Sequence, residues 1–246
     1  MEIEILDVNT IFGSYPSQHA DSTPESLVRD LDKQFVQWCL ALSTTGMFYD
    51  DSSGNAETLR ACQQYPHLIP AATFNPMKAW KNESLLGDLE HSHFELVRFF
   101  PHEQGWPIRY LPFREFIGTL SRTKRTPVMI SVASPGDVTD VVSEFEQYPH
   151  PVVLEGVSGD LLSEAVSALR QHPNFFVETH ALKGPGTLEF LKDRGVIDRV
   201  LFGSATPGWS LAAALRFVKR SSLSDDEKLA VLGGNAQRIW QSTEGA

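Results

Sequence analysis

Glu178 and His180 stand two residues apart in Val177-Glu-Thr-His180. Side chains alternate along an extended strand, so the carboxylate and the imidazole share one face and Thr179 takes the other. Such a pair can do general acid–base work, because neighbouring charge and burial set both pKa values. The same two groups also make a satisfied polar layer inside a sheet, and both roles stay open at this stage. Arg98 lies in Val97-Arg-Phe-Phe100, among apolar neighbours. Its guanidinium is permanently charged and offers a planar fork suited to a carboxylate or a phosphate. That acceptor is either the anionic end of a ligand or a carboxylate of the chain itself, Glu155 or Glu178. Glu155 closes another apolar run, Val152-Val-Leu-Glu155, and a nearby Arg98 would hold it ionised.

Asn9 can donate and accept hydrogen bonds but cannot act as a base near neutral pH. It suits the orientation of a carbonyl or carboxylate, or the tying of one strand to a neighbouring loop. Ser204 and Thr206 flank Ala205 and offer hydroxyls, although no Ser-His-Asp grouping can be read. The expected substrate contacts are therefore Asn9, Arg98, Glu155 and Ser204, with Glu178 and His180 as the proton-moving pair. His102 sits in Pro101-His-Glu-Gln-Gly-Trp106 as a surface candidate or a solvent-facing ring. His19, Tyr49 and Asp50 fall on long connections and could form a lid. His67, His91, His93, His150 and His172 occupy helix ends or strand starts, a poor place for catalysis in a barrel. Gly184-Pro-Gly186 suits a turn, with a phosphate site as the other reading. No Gly-x-Gly-x-x-Gly, Walker loop, His-Glu-x-x-His or paired Cys-x-x-Cys motif occurs.

These residues need elements to hold them. Short β-rich runs alternate with helix-length amphipathic segments: Ile3–Val8, Val36–Ser43, Leu68–Phe74, Phe94–Phe100, Val128–Val132, Val152–Val157, Phe175–Thr179 and Val200–Ser204 are the candidate strands. Several are almost continuously apolar, as strands covered on both faces must be. Eight such strands favour closure into a (β/α)8 TIM barrel over an open sheet, so the fold class is α/β with one barrel domain over residues 1–246. Ser22-Thr-Pro-Glu25 starts the first helix and Asn55-Ala-Glu-Thr-Leu59 the second. Later helices are expected near Glu83–Glu90, Phe113–Ser121, Val138–Phe145, Leu161–Leu169, Leu188–Asp193 and Leu211–Lys219. An additional C-terminal helix opens with the capping box Ser224-Asp-Asp-Glu227, breaks at Gly233-Gly234 and resumes through Ala236–Trp240. Residues 9–21 and 44–54 read as long connections on the C-terminal face of the strands, where function concentrates.

Five segments, in order along the chain, resemble the amidohydrolase-related (amidohydrolase family 2) proteins. Leu6-Asp-Val-Asn-Thr-Ile-Phe-Gly13 resembles the opening strand, Asp-x-His-x-His-x-Gly in that family. Val97-Arg-Phe-Phe-Pro101 and Pro127-Val-Met-Ile-Ser131 resemble its fourth and fifth strands. Val200-Leu-Phe-Gly-Ser-Ala-Thr-Pro207 resembles the eighth, and Leu232-Gly-Gly-Asn-Ala-Gln-Arg238 the closing Gly-Asn-Ala-x-Arg helix. The resemblance implies a TIM barrel and, in metal-binding members, histidines on strands one, five and six with an aspartate after strand eight. Here those positions hold Asn9 and Ile11, Ser131, Gly156 and Ala205, and Arg98 replaces a lysine that some members carry on strand four. Asparagine, isoleucine, glycine and alanine cannot together offset the dehydration of a divalent ion. The chain is accordingly expected to be a divergent member that binds no metal and needs no cofactor.

Composition narrows the partners. Lys plus Arg number 21 against 31 Asp plus Glu, a net charge of −10 that disfavours nucleic acid and anionic lipid. The densest basic stretch, Arg122-Thr-Lys-Arg125, reads as a solvated helix end. Cys39 and Cys62 read as buried free thiols. The opening Met-Glu-Ile-Glu-Ile-Leu has no signal-peptide pattern, and no run reaches the ~20 apolar residues of a membrane span, so a soluble cytoplasmic protein is expected. The expected partner is a small anionic molecule; a homo-oligomer stays open. The leading functional expectation is a metal-independent hydrolase or lyase acting on a small carboxylate or carbonyl compound. In it Arg98 binds the anionic end, Asn9 orients the reacting group, and Glu178 with His180 moves protons. The alternatives are a non-catalytic binding or regulatory protein that kept the pocket, and a subunit working through its outer helices.

Overall fold

The β-rich runs pair as parallel strands, and the described helices between them cover their outer faces. The computed structural model describes residues 4–16, 18–81, 93–122 and 126–241, without the side chains of 18–21, 79–81 and 241. The helix expected at Glu83–Glu90, His91, the side chain of His19, residue Ile3 and positions 123–125 of the basic stretch lie outside the described residues. The strands are β1 (Leu6–Tyr15), β2 (Gln18–Ser22), β3 (Trp38–Ser43), β4 (Leu68–Thr73), β5 (Leu96–Phe99), β6 (Val128–Ser131), β7 (Val152–Glu155), β8 (Phe175–Glu178) and β9 (Val200–Leu201). Among the described residues they form one sheet in the order β2-β1-β3-β4-β5-β6-β7-β8-β9. Apart from β2, every neighbouring pair is parallel.

Closure comes from the chain just beyond β9. Val8 N–H donates to Phe202 O at 2.9 Å, Ala205 N–H to Asn9 O at 2.9 Å, and Ile11 N–H to Thr206 O at 3.0 Å. These bonds join the last parallel strand to the first and make the (β/α)8 barrel that the eight runs predict. The last strand is shorter than expected because residues 202–206 bond to β1 in this irregular way rather than as a ladder.

Inside the barrel, Leu6, Val8, Leu40, Leu42, Ala71, Leu96, Met129, Val153 and Leu201 form one apolar cluster. Between strands and helices lies a larger one that includes Phe99, Phe113, Phe145, Leu169 and Val218. The C-terminal helix packs Ala236 and Ile239 against the inner cluster, and Trp240 Nε1–H donates to Glu95 O at 2.9 Å. Its glycine pair does not break it: Ala230–Gly234 is one π-helical turn between Asp225–Leu229 and Asn235–Gln241. The wider π turn keeps the axis continuous. Both thiols are free, with Cys39 buried at the β1–β3 seam.

The expected long connections are largely structured. Residues 9–21 extend β1 and turn back as β2, pairing Gly13 with Ser22 and Ser14 with Asp21. Gly13 has φ of 106°, and a Cβ there would sit 2.4 Å from Thr44 Oγ1. Residues 44–54 are the helix Thr44–Phe48, then the start of Asp51–Gln64, whose N-cap Asp50 accepts from Ser53 N–H at 2.8 Å. That cap moves the helix start four residues ahead of the expected Asn55.

The first helix, Pro24–Lys33, ends in a Schellman motif: Val36 N–H donates to Leu31 O and Phe35 N–H to Asp32 O. Strand β3 consequently starts at Trp38 rather than Val36. Phe35 holds φ of 56° and is 79% exposed, a left-handed non-glycine residue with little packing to lose. Phe35→Gly is expected to raise unfolding free energy by about 1 kcal/mol, read as a higher urea midpoint at unchanged slope; a lower midpoint would show that the ring contributes packing.

Candidate active site

One step up the interior side of several strands, apolar residues give way to polar ones. Leu96 is followed by Arg98, Val153 by Glu155, Phe176 by Glu178, and Met129 by Ser131. Each pair is two residues apart, so both members face the barrel axis. The apolar layer seals the barrel below, and the polar layer lies at its C-terminal mouth.

Arg98 is 1% exposed. Its Nη2 donates to Asn9 Oδ1 at 2.7 Å and to Glu155 Oε1 at 2.8 Å, and its Nη1 donates to Thr10 O at 3.1 Å. Asn9 Nδ2 donates to the same Glu155 oxygen at 3.1 Å and lies 3.4 Å from His180 Nδ1. An irregularity in the β1–β3 register between Asp7 and Thr10 accompanies this placement of Asn9. Arg98 is thus a cross-barrel tie from β5 to β1 and β7, with both terminal nitrogens taken by the protein. Arg98 Nε and Glu155 Oε2 have no hydrogen-bond partner among the described residues.

Glu178 is fully buried beside His180, with Oε1 2.5 Å from the ring Nδ1. Its oxygens also accept from the backbone N–H of His180 at 2.7 Å and of Gly156 at 3.1 Å. Burial alone would raise the Glu178 pKa, but the His180 charge and these hydrogen bonds hold it below the ordinary 4.5. Burial likewise disfavours a charged His180, yet the Glu178 charge and hydrogen bond, with help from Glu155, raise it above the ordinary 6.5. No described residue bonds Nε2, so that nitrogen is available to a reactant. Gly203 makes room for the pair: a Cβ there would sit 2.3 Å from Glu178 Oε2.

Asp7 is a member of the site that residue-by-residue reasoning missed. Its Oδ1 accepts from the backbone N–H of Asn9 at 3.1 Å and of Ser204 at 3.0 Å, tying β1 to the chain after β9. Complete burial pushes its carboxyl up to about 7, with hydrogen bonds from Ser204 and Asn9 acting against the shift and the nearby Glu178 charge reinforcing it. The signal was the aspartate that opens the Asp7-Val-Asn9 motif. Tyr15 and Glu103 were also missed. The Tyr15 hydroxyl is raised first by burial and then by the charges of Glu103 and Glu155, while Glu103 Oε2 accepts from Ser131 Oγ at 3.2 Å.

The remaining candidates are dispersed. Ser204 is buried, and its hydroxyl donates to Thr206 Oγ1 at 2.7 Å. His102 pairs with Asp137 at 2.7 Å on the exposed rim. Tyr49 is 58% exposed, and Asp50 caps a helix. Ala205 takes φ of 54° where the resemblance has an aspartate.

A family model described as amidohydrolase (Amidohydro_2) matches residues 55–241. This chain belongs to the amidohydrolase family. No curated relative matches the sequence. Among solved structures, the chain is similar to 2,6-dihydroxybenzoate decarboxylase from Rhizobium at 12% identity and TM-score 0.73, covering 98% of this chain and 99% of that one. It is also similar to 5-carboxyvanillate decarboxylase from Sphingomonas paucimobilis, at 15% identity, TM-score 0.69 and coverage of 98% and 99%. A third is the dihydroxybenzoic acid decarboxylase from Polaromonas sp. with bound manganese and 2-nitroresorcinol, at 14% identity, TM-score 0.72 and coverage of 98% and 97%. At these identities the likeness establishes the TIM-barrel fold alone. Among the described residues no helix is long and apolar enough to cross a membrane.

Two titrations follow. Asp7 binds its proton more tightly folded than unfolded, so stability falls as pH rises from the ordinary 3.8 towards about 7. Asp7→Asn keeps a carbonyl oxygen for the two N–H donors and is expected to be more stable than the parent at alkaline pH, by on the order of a few kcal/mol, with the gain vanishing in acid. Denaturant unfolding across pH reads this, and a variant equally unstable at every pH would count against it. The Glu178–His180 pair stabilises most between the ordinary 4.5 and 6.5: it weakens as pH falls through the lowered Glu178 value or rises through the raised His180 value. Histidine NMR titration should show the His180 value drop in Glu178→Gln.

Proposed function

We propose that this chain is a metal-independent lyase or hydrolase acting on a small carboxylate or carbonyl compound, with decarboxylation the reaction its site suits best. The reading rests above all on the buried Glu178–His180 contact, 2.5 Å between Oε1 and Nδ1. A carboxylate held ionised beside Nδ1 fixes the ring and stabilises its imidazolium form, leaving Nε2 to deliver a proton. In a decarboxylation the bond to the carboxylate carbon breaks, carbon dioxide leaves, and the electron pair stays on the remaining carbon. The proton on Nε2 satisfies that pair, and solvent then reprotonates the ring. For hydrolysis the same imidazole in its neutral form would take a proton from water.

A divalent metal of the kind seen in the Polaromonas decarboxylase does not fit the side chains present here. Asn9, Ile11, Ser131, Gly156 and Ala205 stand at the positions that the family resemblance assigns to ligands. The Arg98 guanidinium lies against Asn9 and Glu155, placing a fixed positive charge among the donors that remain. Among the described residues no group of three or more His, Cys, Asp or Glu side chains is arranged to hold a metal ion. Arg98 in this reading is the resident cation of the mouth: it pairs with Glu155 at 2.8 Å, and Asn9 positions both carboxylate and imidazole.

Turnover should be sought with small carboxylates, 2,6-dihydroxybenzoate among them, on protein purified without added metal. Glu178→Gln and His180→Gln are each expected to lower kcat by roughly 10²–10⁴-fold with binding retained. Metal analysis should find no stoichiometric zinc, manganese or nickel, and a chelator should leave the rate unchanged. Stoichiometric metal, or activity dependent on it, would overturn metal independence. Ligand binding with no turnover across the carboxylates would instead favour the binding-protein alternative.

A further inference from the structure

Arg98 is poorly placed to meet a ligand, since it is 1% exposed and both its Nη atoms are bonded within the protein. A different cation stands beside the same imidazole. A cavity of about 340 Å³ opens between the segments after β8 and β9, and its lining includes His180, Lys183, Ser204, Trp209 and Phe217. It therefore shares His180 and Ser204 with the polar mouth while offering apolar walls.

Lys183 is exposed, and its ammonium rests over the Trp209 ring, 2.7 Å from the centroid. The ammonium lies near enough to His180 for its charge to oppose protonation of the ring. None of the ion pairs found among the described residues involves Lys183. Trp209 is 54% exposed, and Leu182 and Ala214 line the same cavity. The nine-residue helix Leu211–Lys219 starts at the cavity's edge, with its N-cap Ser210 and first-turn Ala213 in the lining. Its positive end adds to the field of the lysine.

We propose that this cavity is the ligand site, that Lys183 rather than Arg98 holds the anionic group, and that Trp209 and Phe217 flank an apolar, flat body. The ligand is then a small organic anion with one apolar face. This rests on the carboxylate reading given above, and it adds the residues that select for charge. A carboxylate at Lys183 keeps its ammonium contact while the ligand's body displaces water from the indole and phenyl faces. The reactive carbon is brought to the His180 side of the cavity. Arg98 remains a buried positioning residue.

The test uses benzoate and its neutral counterpart benzamide, titrated by calorimetry into the full chain and its variants. Wild type is expected to bind benzoate about three- to fivefold more tightly than benzamide, as one exposed charge contact allows. Lys183→Met should erase that preference while leaving benzamide affinity unchanged, and Lys183→Arg should restore it. Trp209→Ala should weaken both probes alike. Lys183 and Trp209 are exposed, so matched thermal melts will show that the variants fold. The inference is overturned if the preference survives Lys183→Met, if it does not return in Lys183→Arg, or if benzoate fails to bind at about 10 mM. The two readings separate cleanly: the expected binding pattern without any turnover removes the lyase and keeps this site. Turnover that needs Glu178 and His180 but ignores Lys183 does the reverse.

Discussion

A guanidinium enclosed in a barrel must be given acceptors there, because a buried charge left unmatched is among the costliest groups in a fold. Arg98 sets that requirement for this protein. It is answered from two directions: Asn9 Oδ1 and Thr10 O on β1, and Glu155 Oε1 on β7. The strands that supply those acceptors lie on different sides of the barrel axis, so the charge can be satisfied only when the barrel is closed. The register irregularity on β1 and the bonds from β1 to the chain after β9 belong to the same arrangement.

The rest of the mouth follows from where that charge goes. Glu155 is matched by Arg98, which leaves the buried Glu178 to be matched by His180 and by two backbone N–H groups. Among the described residues Asp7 receives N–H donors but pairs with no cation, and burial therefore keeps its proton on into the neutral range. Two buried carboxyls in one small volume, Glu178 and Asp7, thus have their pKa values moved in opposite directions. A pair whose partners drive their pKa values in opposite directions, beside an acid that titrates near neutrality, is the kind of arrangement found where protons are moved. Structural ion networks share this property, and it is the unoccupied Nε2 next to a cavity that gives His180 chemical reach.

Membership of the amidohydrolase family explains the scaffold, yet fold alone does not carry chemistry. Several of the positions that the resemblance reserves for metal ligands take part in other interactions. Asn9 bridges Arg98 and Glu155, and Ala205 adopts a left-handed backbone whose N–H bonds Asn9 O. The proposed chemistry has no ion to ionise a bound water, and the buried guanidinium serves to position Asn9 and Glu155. Reactions that need a supplied proton are favoured in such a site over those that need a hydroxide.

Much of the barrel was legible beforehand because periodicity is local. Near-continuous apolar runs announced strands covered on both faces, and each of the eight candidates became one. Alternation pointed Glu178 and His180 to one side of a strand; β8 ends at Glu178, and the turn that follows brings the His180 ring onto the carboxylate. Other features depended on partners distant in sequence. The segment expected as a loop after Val8 is a strand and hairpin because β3 and the chain after β9 take up its backbone groups. Asp7 looked like one motif letter, and its raised pKa exists only because the closed barrel buries it, with the Glu178 charge adding to the shift. Lys183 and Trp209 are 26 positions apart by their numbers and carry no shared pattern. The amino-acid order by itself determined the repeating strand–helix scheme and the family likeness, since these reside in residue type and short spacing. Which charge meets which, and which cation is left facing a cavity, was decided only by tertiary structure, because electrostatic energy depends on distance and burial that no local pattern encodes.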